Sequence, residues 1–390
     1  MARPGKLPKT VWQLGWISFF ADVASEMAYP ILPLFLRSIG APATALGAIE
    51  GMAEALVSFM KGASGLHSDR TGKRVPYVQS GYGLSALGKP LLSLAYAWPT
   101  VLGARLLDRL GKGLRTTARD ALIADSVEPA QLGRAFGFHR GLDTAGALVG
   151  VAVTLLLLQF LPGEYRLIFA LALVPGLLSV ALAFRVREAP AQEGEGAPPR
   201  PDWRELPGSY WRVLGIATLF ALANSSDTFL LLRARDAGLS DAGVVAAYAL
   251  YNITYMILSY PAGVWSDRIG RWAILIAGWV IYAGVYFGFA RLSGSTLWPL
   301  FALYGVYMGF TQGVSKALVA DHAPKYAKGT ALGIFYMVSG FAVLMASLIA
   351  GLLWDRYGPS ATFTFGGSAA LVAVSAAVLF APRRSAPSRA

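Results

Sequence analysis

Ionisable side chains stand inside runs of sequence that are otherwise apolar enough for a lipid bilayer. Their spacing points to proton and charge chemistry rather than covalent catalysis. Asp22 and Glu26 lie four residues apart in Phe-Phe-Ala-Asp22-Val-Ala-Ser-Glu26-Met-Ala-Tyr-Pro, so they stack on one face of a helix. Ala-Asn224-Ser-Ser-Asp227-Thr holds the similar position in the second half. An ionisable group at mid-bilayer costs about 2.5–3.5 kcal/mol even on lenient insertion scales, so each must face a cavity or a partner. A carboxylate so placed is suited to take up and release a proton, which makes Asp22, Glu26, Glu54, Asp143 and Asp227 the expected proton-coupling groups. The simpler alternative is that they only neutralise nearby cations.

The cations define a second expected surface. Arg105, Asp108, Arg109, Lys112, Arg115 and Arg119 follow three-four spacing, so one helix carries a charged stripe that cannot face lipid. The stripe must line a central pathway or, toward one end, its inner mouth. Lys61, seven residues after Glu54, lies on roughly the same face, and both look like partners for other spans. Lys89 sits beside Pro90, at an expected kink near mid-span where a lysine does not easily reach either interface. His139 and Asp143 share a face, which suits a proton relay; equally, Asp143 neutralises Arg140 or an arginine of the stripe. Lys61, Lys89, Arg105, Asp108, Arg109, Lys112, His139, Arg140 and Lys316 are the expected substrate-cavity residues.

Composition says what must position these groups. With 55% hydrophobic and 14% charged residues, a 390-residue chain exceeds any soluble core and suits a multi-span membrane protein. The spacing predicts six apolar runs over Val11–Leu36, 43–66, 77–97, 100–122, 135–160 and 166–184. Six more fall near 212–232, 241–265, 273–291, 298–320, 329–352 and 360–381. The first run is too long for a signal-peptide core and is expected to be retained. Residues 185–211, rich in Pro, Gly, Glu and Arg, read as a linker between bundles at 1–184 and 212–390. Lys and Arg concentrate in alternate loops, which puts both termini in the cytoplasm and makes the net charge of +12 a topological signal rather than a nucleic-acid footprint.

One charged hairpin recurs. Gly65-Leu-His-Ser-Asp69-Arg70-Thr-Gly72-Lys73-Arg74 has a counterpart in Gly263-Val-Trp-Ser-Asp267-Arg268-Ile-Gly270-Arg271. Further matches at nearly one offset, Ala121-Leu-Ile-Ala-Asp125 with Ala317-Leu-Val-Ala-Asp321, indicate a duplication. The chain resembles the major facilitator superfamily, whose signature between spans 2 and 3 is this Gly-x-x-x-Asp-Arg-x-Gly-basic pattern. The resemblance covers essentially the whole chain. It implies an all-α integral membrane protein of twelve transmembrane helices in two six-helix bundles. It also implies a conformational latch made by Gly65, Asp69, Arg70, Gly72 and Arg74, repeated at Gly263, Asp267, Arg268 and Gly270. A carboxylate at the end of span 2 suits the positive N-terminal end of a neighbouring helix, while Arg70 and Arg74 pair with acids. Drug antiporters of the superfamily carry a functional arginine in span 4, which points to Arg105 or Arg109. Their glycine-rich span 5 signature is matched in part, by Gly141, Gly146 and Gly150 without its proline.

These readings converge on a proton-coupled secondary transporter working by alternating access, in a bacterial cytoplasmic membrane. The first expectation is export of amphipathic drugs or metabolites, resembling twelve-span antiporters; the alternative is proton-linked movement of an anionic or zwitterionic metabolite. Expected partners are a small-molecule substrate, lipid and protons, acting on a monomer. Zero cysteines exclude disulfides and thiolate chemistry, and three histidines without a cluster leave no basis for a metal. No Gly-x-x-x-x-Gly-Lys-Ser/Thr loop is present, so the proton gradient stands in place of any nucleotide or other cofactor. No nucleophile motif accompanies His139 and Asp143, so the chain is not expected to be an enzyme.

Overall fold

The computed structural model describes residues 7–71, 73–127, 132–188, 203–324 and 328–382. Among these residues it is all helix, with two short 3-10 turns. Each apolar run coincides with one helix or with a helix broken in two. The first half contains α1 (Lys9–Ala28) and α2 (Leu32–Ser38), α3 (Ala43–Thr71), α4 (Val75–Ser93), α5 (Trp98–Asp125), α6 (Leu132–Phe160), and α7 (Tyr165–Leu171) with α8 (Leu173–Ala183). The second half contains α9 (Gly208–Ala223) and α10 (Thr228–Asp236), α11 (Asp241–Ile269), α12 (Arg271–Arg291), α13 (Leu297–Asp321), α14 (Lys328–Tyr357) and α15 (Pro359–Phe380). Nine described stretches are long and apolar enough to cross a membrane. α5, with its charged stripe, is not among them.

The breaks follow from local chemistry. Pro30 lacks an N–H and its ring opposes the carbonyl four residues back, so α1 stops at Ala28. Pro175 acts likewise on Leu171, where α7 ends. Between α9 and α10 the cause is different: Asn224, Ser225, Ser226 and Asp227 offer side-chain oxygens that compete for backbone donors. Ser226 Oγ accepts from the Thr228 amide at 3.4 Å and Ser347 Oγ accepts from the Ser226 amide at 3.1 Å, so the break is tied down. Pro90 does not end α4, which runs on to Ser93.

The chain divides into two compact units, Met1–Gly196 with Leu239–Ala246, and Ala197–Gly238 with Ala247–Ala390. Lipid tails are as apolar as leucine, so helix association in each unit depends on close approach and buried hydrogen bonds. In the first unit, α4 and α5 touch backbone to backbone: a Cβ on Gly111 would lie 2.3 Å from the Gly81 carbonyl oxygen. α1 and α6 are equally close, with Gly146 against Phe19 and Gly150 against Val23, and one turn on Thr154 donates to the Met27 carbonyl at 3.1 Å. Val11, Leu14, Ile17, Val78 and Leu122 fill one core of this unit.

In the second unit, α12 packs on α13 and α15. Its core holds Tyr210, Val213, Ile274, Leu275 and Leu318, and Phe220 stacks on Trp279 with ring centroids 4.6 Å apart. The turn from α11 into α12 is made at Gly270, whose φ of 102° lies in the region that side chains disfavour.

Candidate functional site

Three helices of the first unit meet through charge. The Gly81–Gly111 approach brings α4 so near α5 that Lys89 Nζ lies 2.9 Å from Asp108 Oδ1, with side chains 3% and 5% exposed. Arg105, one turn earlier on α5, donates through Nε and NH2 to Glu50 Oε1 of α3 at 3.0 and 2.7 Å and lies 3.5 Å from Asp108. Its guanidinium also stands 5.5 Å from the ring centre of Tyr29. Two cations and two anions are therefore interlocked and almost sealed from solvent. Removing one partner would leave a buried charge poorly compensated, which makes this cluster a structural fastener.

A second group lies farther along the stripe. Asp22 of α1 and Asp143 of α6 are in side-chain hydrogen-bond contact. Two carboxyl groups this close favour sharing a proton over carrying two negative charges. Lys112 and Arg115 are within electrostatic reach of Asp22, and Arg119, Arg140 and His139 of Asp143. Arg140 donates to Asp143 at 2.8 Å from an exposed position. His139 is buried; its Nε2 lies 2.8 Å from Ser18 Oγ, which is also 3.0 Å from the Tyr82 hydroxyl and accepts from Arg119 at 3.2 Å. Arg119 donates to Asp120 at 2.9 Å. Arg115 donates to Ser85 Oγ and stacks 4.4 Å over Tyr82.

The second unit presents one carboxylate on a tyrosine backing. Asp227 follows the α9/α10 break; Tyr304 donates to its Oδ1 at 2.5 Å and Tyr251 to its Oδ2 at 3.4 Å. Behind them Tyr282, Tyr286 and Tyr307 are fully buried, and Tyr282 donates to the freed Ala223 carbonyl at 2.8 Å. Lys316 is exposed, with its Nζ 5.8 Å from the ring centre of Tyr336.

The hairpins end in matching triads. Arg74 donates to Ser68 Oγ at 2.9 Å and lies 3.7 Å from Asp125. Arg271 donates to Ser266 Oγ at 3.1 Å and to Asp321 at 2.7 Å. Glu188 Oε1 accepts from the amides of Arg74 and Val75, both at 2.8 Å, so a carboxylate sits on the N-terminus of α4. Gly65 faces Thr117 of α5, and Arg268 is exposed. Nothing lies within 4 Å of a Cβ on Gly263. Gly72 and the side chains of Asp69, Arg70 and Asp267 lie outside the described residues.

The structure thus brings together Asp22 with Asp143, and Lys89 with Asp108 and Arg105. Arg109 is within electrostatic reach of Glu50 and Glu54, and Lys112 of Lys61. Glu26 lies one turn beyond Asp22, its Cβ 3.0 Å from where a Cβ on Gly150 would be. Sequence reading passed over Glu50, the buried acid that holds Arg105, in favour of the exposed Glu54 four residues on. It also passed over Ser18, Tyr82, Ser85 and Tyr304, whose hydroxyls connect the charged groups. The only signal was their place within runs already marked by ionisable residues. Among the described residues no group of three His, Cys, Asp or Glu side chains could hold a metal ion.

The sequence profile of the Major Facilitator Superfamily matches residues 14–342 and 213–390. An MFS-type transporter of Methanocaldococcus jannaschii is 37% identical over 374 residues, covering 94% of both chains. The multidrug resistance protein MdtH of Escherichia coli is 25% identical over 340 residues, 84% of this chain and 82% of that one. Among solved structures, the nucleoside transporter NupG superposes with a TM-score of 0.78 at 13% identity, covering 96% of this chain and 98% of that one.

Proposed function

Because the chain belongs to the major facilitator superfamily and is a multi-pass membrane transporter, we propose that it is a proton-coupled exporter of amphipathic drugs or metabolites working by alternating access in the cytoplasmic membrane. The observation that carries this reading is the Asp22–Asp143 contact. Two carboxyl groups that share a hydrogen bond share a proton, and losing it leaves like charges side by side among Lys112, Arg115, Arg119 and Arg140. Protonation and the conformation of α1 against α6 are thereby linked, and through one equilibrium each ligand alters the affinity for the other. Neither nucleotide nor metal is required; the proton gradient supplies the energy. Both termini face the cytoplasm on the rule that basic loops stay inside.

The substrate class is supported by two observations. Lys89, Arg105, Arg119 and Arg140 are each held by a carboxylate, which leaves them less available to an anion. Asp227 lies among tyrosines, an acidic and aromatic setting that suits a lipophilic cation. The relative named for multidrug resistance fits the same class. Proton-linked transport of an anionic or zwitterionic metabolite is the second reading, favoured by the Arg109, Lys112 and Arg115 run.

The test uses purified protein in liposomes with an internal pH dye. The lipophilic cation tetraphenylphosphonium and the anion benzoate are presented with and without a pH gradient. Proton movement driven by the cation and lost in Asp22→Asn supports the exporter. Proton movement driven only by the anion selects the second reading.

A further inference from the structure

A buried polar chain runs along the wall of the first unit, apart from the carboxyl pair. A cavity of about 10 Å3 is lined by Ser25, Tyr82, Ser85, Lys89 and Ser179 together with small apolar side chains. That is room for one water in a mostly apolar lining, where the Lys89 ammonium and the neighbouring hydroxyls are the polar groups to hold it. Lys89 donates from the cavity wall to Ser25 Oγ at 3.4 Å and to Asp108 at 2.9 Å. Arg115 donates to cavity-lining Ser85, yet its Nε is buried without a hydrogen-bond partner among the described residues. From Tyr82 the chain continues to Ser18 Oγ at 3.0 Å and from Ser18 to His139 Nε2 at 2.8 Å. His139 is one helical turn from Asp143. Ser18 and Tyr82 are 1% and 2% exposed, so bulk water does not reach these links.

We infer that Ser18 and Tyr82, with one water in the Lys89 cavity, relay protons between the Lys89–Asp108 pair and His139 beside the Asp22–Asp143 pair. This rests on the proton-coupled reading above and adds the internal route. In one direction the Lys89 ammonium gives a proton to the water and becomes a neutral amine. The water gives one to the Tyr82 oxygen, Tyr82 gives its hydroxyl proton to Ser18, and Ser18 gives its own to His139 Nε2. Each O–H bond that breaks is matched by one that forms, so one proton moves and the hydroxyls are regenerated with reversed hydrogen bonds. Arg119, donating to Ser18, and Arg115, over Tyr82, are the cations that face the middle of the relay; Asp108 with Arg105 and Arg109 faces its Lys89 end, and Asp120 and Asp143, with Arg140 on the latter, face its His139 end. Arg119 fixes the Ser18 oxygen from the side and leaves its proton free to move either way.

The test compares Tyr82→Phe, Ser18→Ala and Ser18→Thr with wild type in liposomes. Two readouts are taken on each: proton movement driven by tetraphenylphosphonium, and exchange of labelled for unlabelled tetraphenylphosphonium, which needs no net proton transfer. The relay predicts at least a tenfold fall in proton movement for Tyr82→Phe and Ser18→Ala, recovery in Ser18→Thr, and exchange within twofold of wild type in all three. Wild-type coupling with both hydroxyl deletions within twofold of it overturns the relay alone. Loss of exchange alongside proton movement assigns these residues to structure and also overturns it. Wild type without substrate-driven proton movement overturns the reading on which the relay rests, and the relay with it.

Discussion

Lys89 Nζ and Asp108 Oδ1 stand 2.9 Å apart on neighbouring helices, each side chain almost wholly withdrawn from solvent. Close helix contact is allowed by glycines along the seam, Gly88 beside Lys89 included, and Arg105 ties the same carboxylate to Glu50. Lys89→Met therefore takes the closest partner from a buried anion and is expected to destabilise the protein by about 3–5 kcal/mol, whereas Lys89→Met with Asp108→Leu recovers most of that loss. Unfolding of the purified protein in detergent checks both values; a double variant as unstable as the single one contradicts the account.

The Asp22–Asp143 contact makes a different kind of claim. If the pair holds one proton, Asp22→Asn and Asp143→Asn each reduce substrate-driven proton movement at least tenfold. The double variant then loses no more than either single, because groups acting as a unit are not additive. Internal pH-dye fluorescence in liposomes reports the result, and independent, multiplying losses would separate the two carboxyls.

Tyr304 is fully buried and points its hydroxyl at Asp227. Tyr304→Phe removes a hydrogen bond to a charged group at nearly constant volume and is expected to cost about 1.5–3 kcal/mol. Tetraphenylphosphonium affinity, measured by titration calorimetry, is expected to shift with it because the carboxylate loses its orientation.

Arg271 and Asp321 are 2.7 Å apart but 17% and 29% exposed. Solvent screening limits their coupling to about 0–1 kcal/mol in a double-mutant cycle on stability. Their expected effect is on transport rate, with Arg271→Ala slowing turnover while the melting temperature hardly moves.

Gly146 leaves no space for a side chain, since an added Cβ would fall 2.3 Å from the Phe19 carbonyl oxygen. Gly146→Leu is expected to cost about 1–3 kcal/mol or more through overpacking. It is also expected to abolish proton coupling by separating Asp22 from Asp143. Gly141→Leu, where nothing lies within 4 Å, is the matched control for stability on the same helix.

The helical runs and the repeat were legible because lipid imposes long apolar stretches and duplication leaves a fixed spacing. The breaks were less so. Hydropathy runs straight across Pro30 and Pro175, and the loss of helix two residues before the one and four before the other leaves no mark on it. The charged stripe of α5 was legible from its period, but its partners were not. Glu50 and Glu54 share a helical face, and which one meets Arg105 depends on how α3 crosses α5. The tyrosines near Asp227 carry no charge and resemble membrane-interface residues in sequence; only their convergence from α11, α12 and α13 distinguishes them.

The paired Ser–Arg–Asp triads also provide a ruler. The spacing that carries Arg74 onto Arg271 carries Lys89 onto Tyr286, and the spacing that carries Asp125 onto Asp321 carries Asp108 onto Tyr304. Where the first half holds α3, α4 and α5 together with opposite charges, the second has aromatic hydroxyls at the stations the same spacing reaches. Around these stations the first half is held by ion pairs and the second by hydroxyls gathered about Asp227, so removing one side chain leaves a buried charge poorly compensated in the first half and costs a single hydrogen bond in the second.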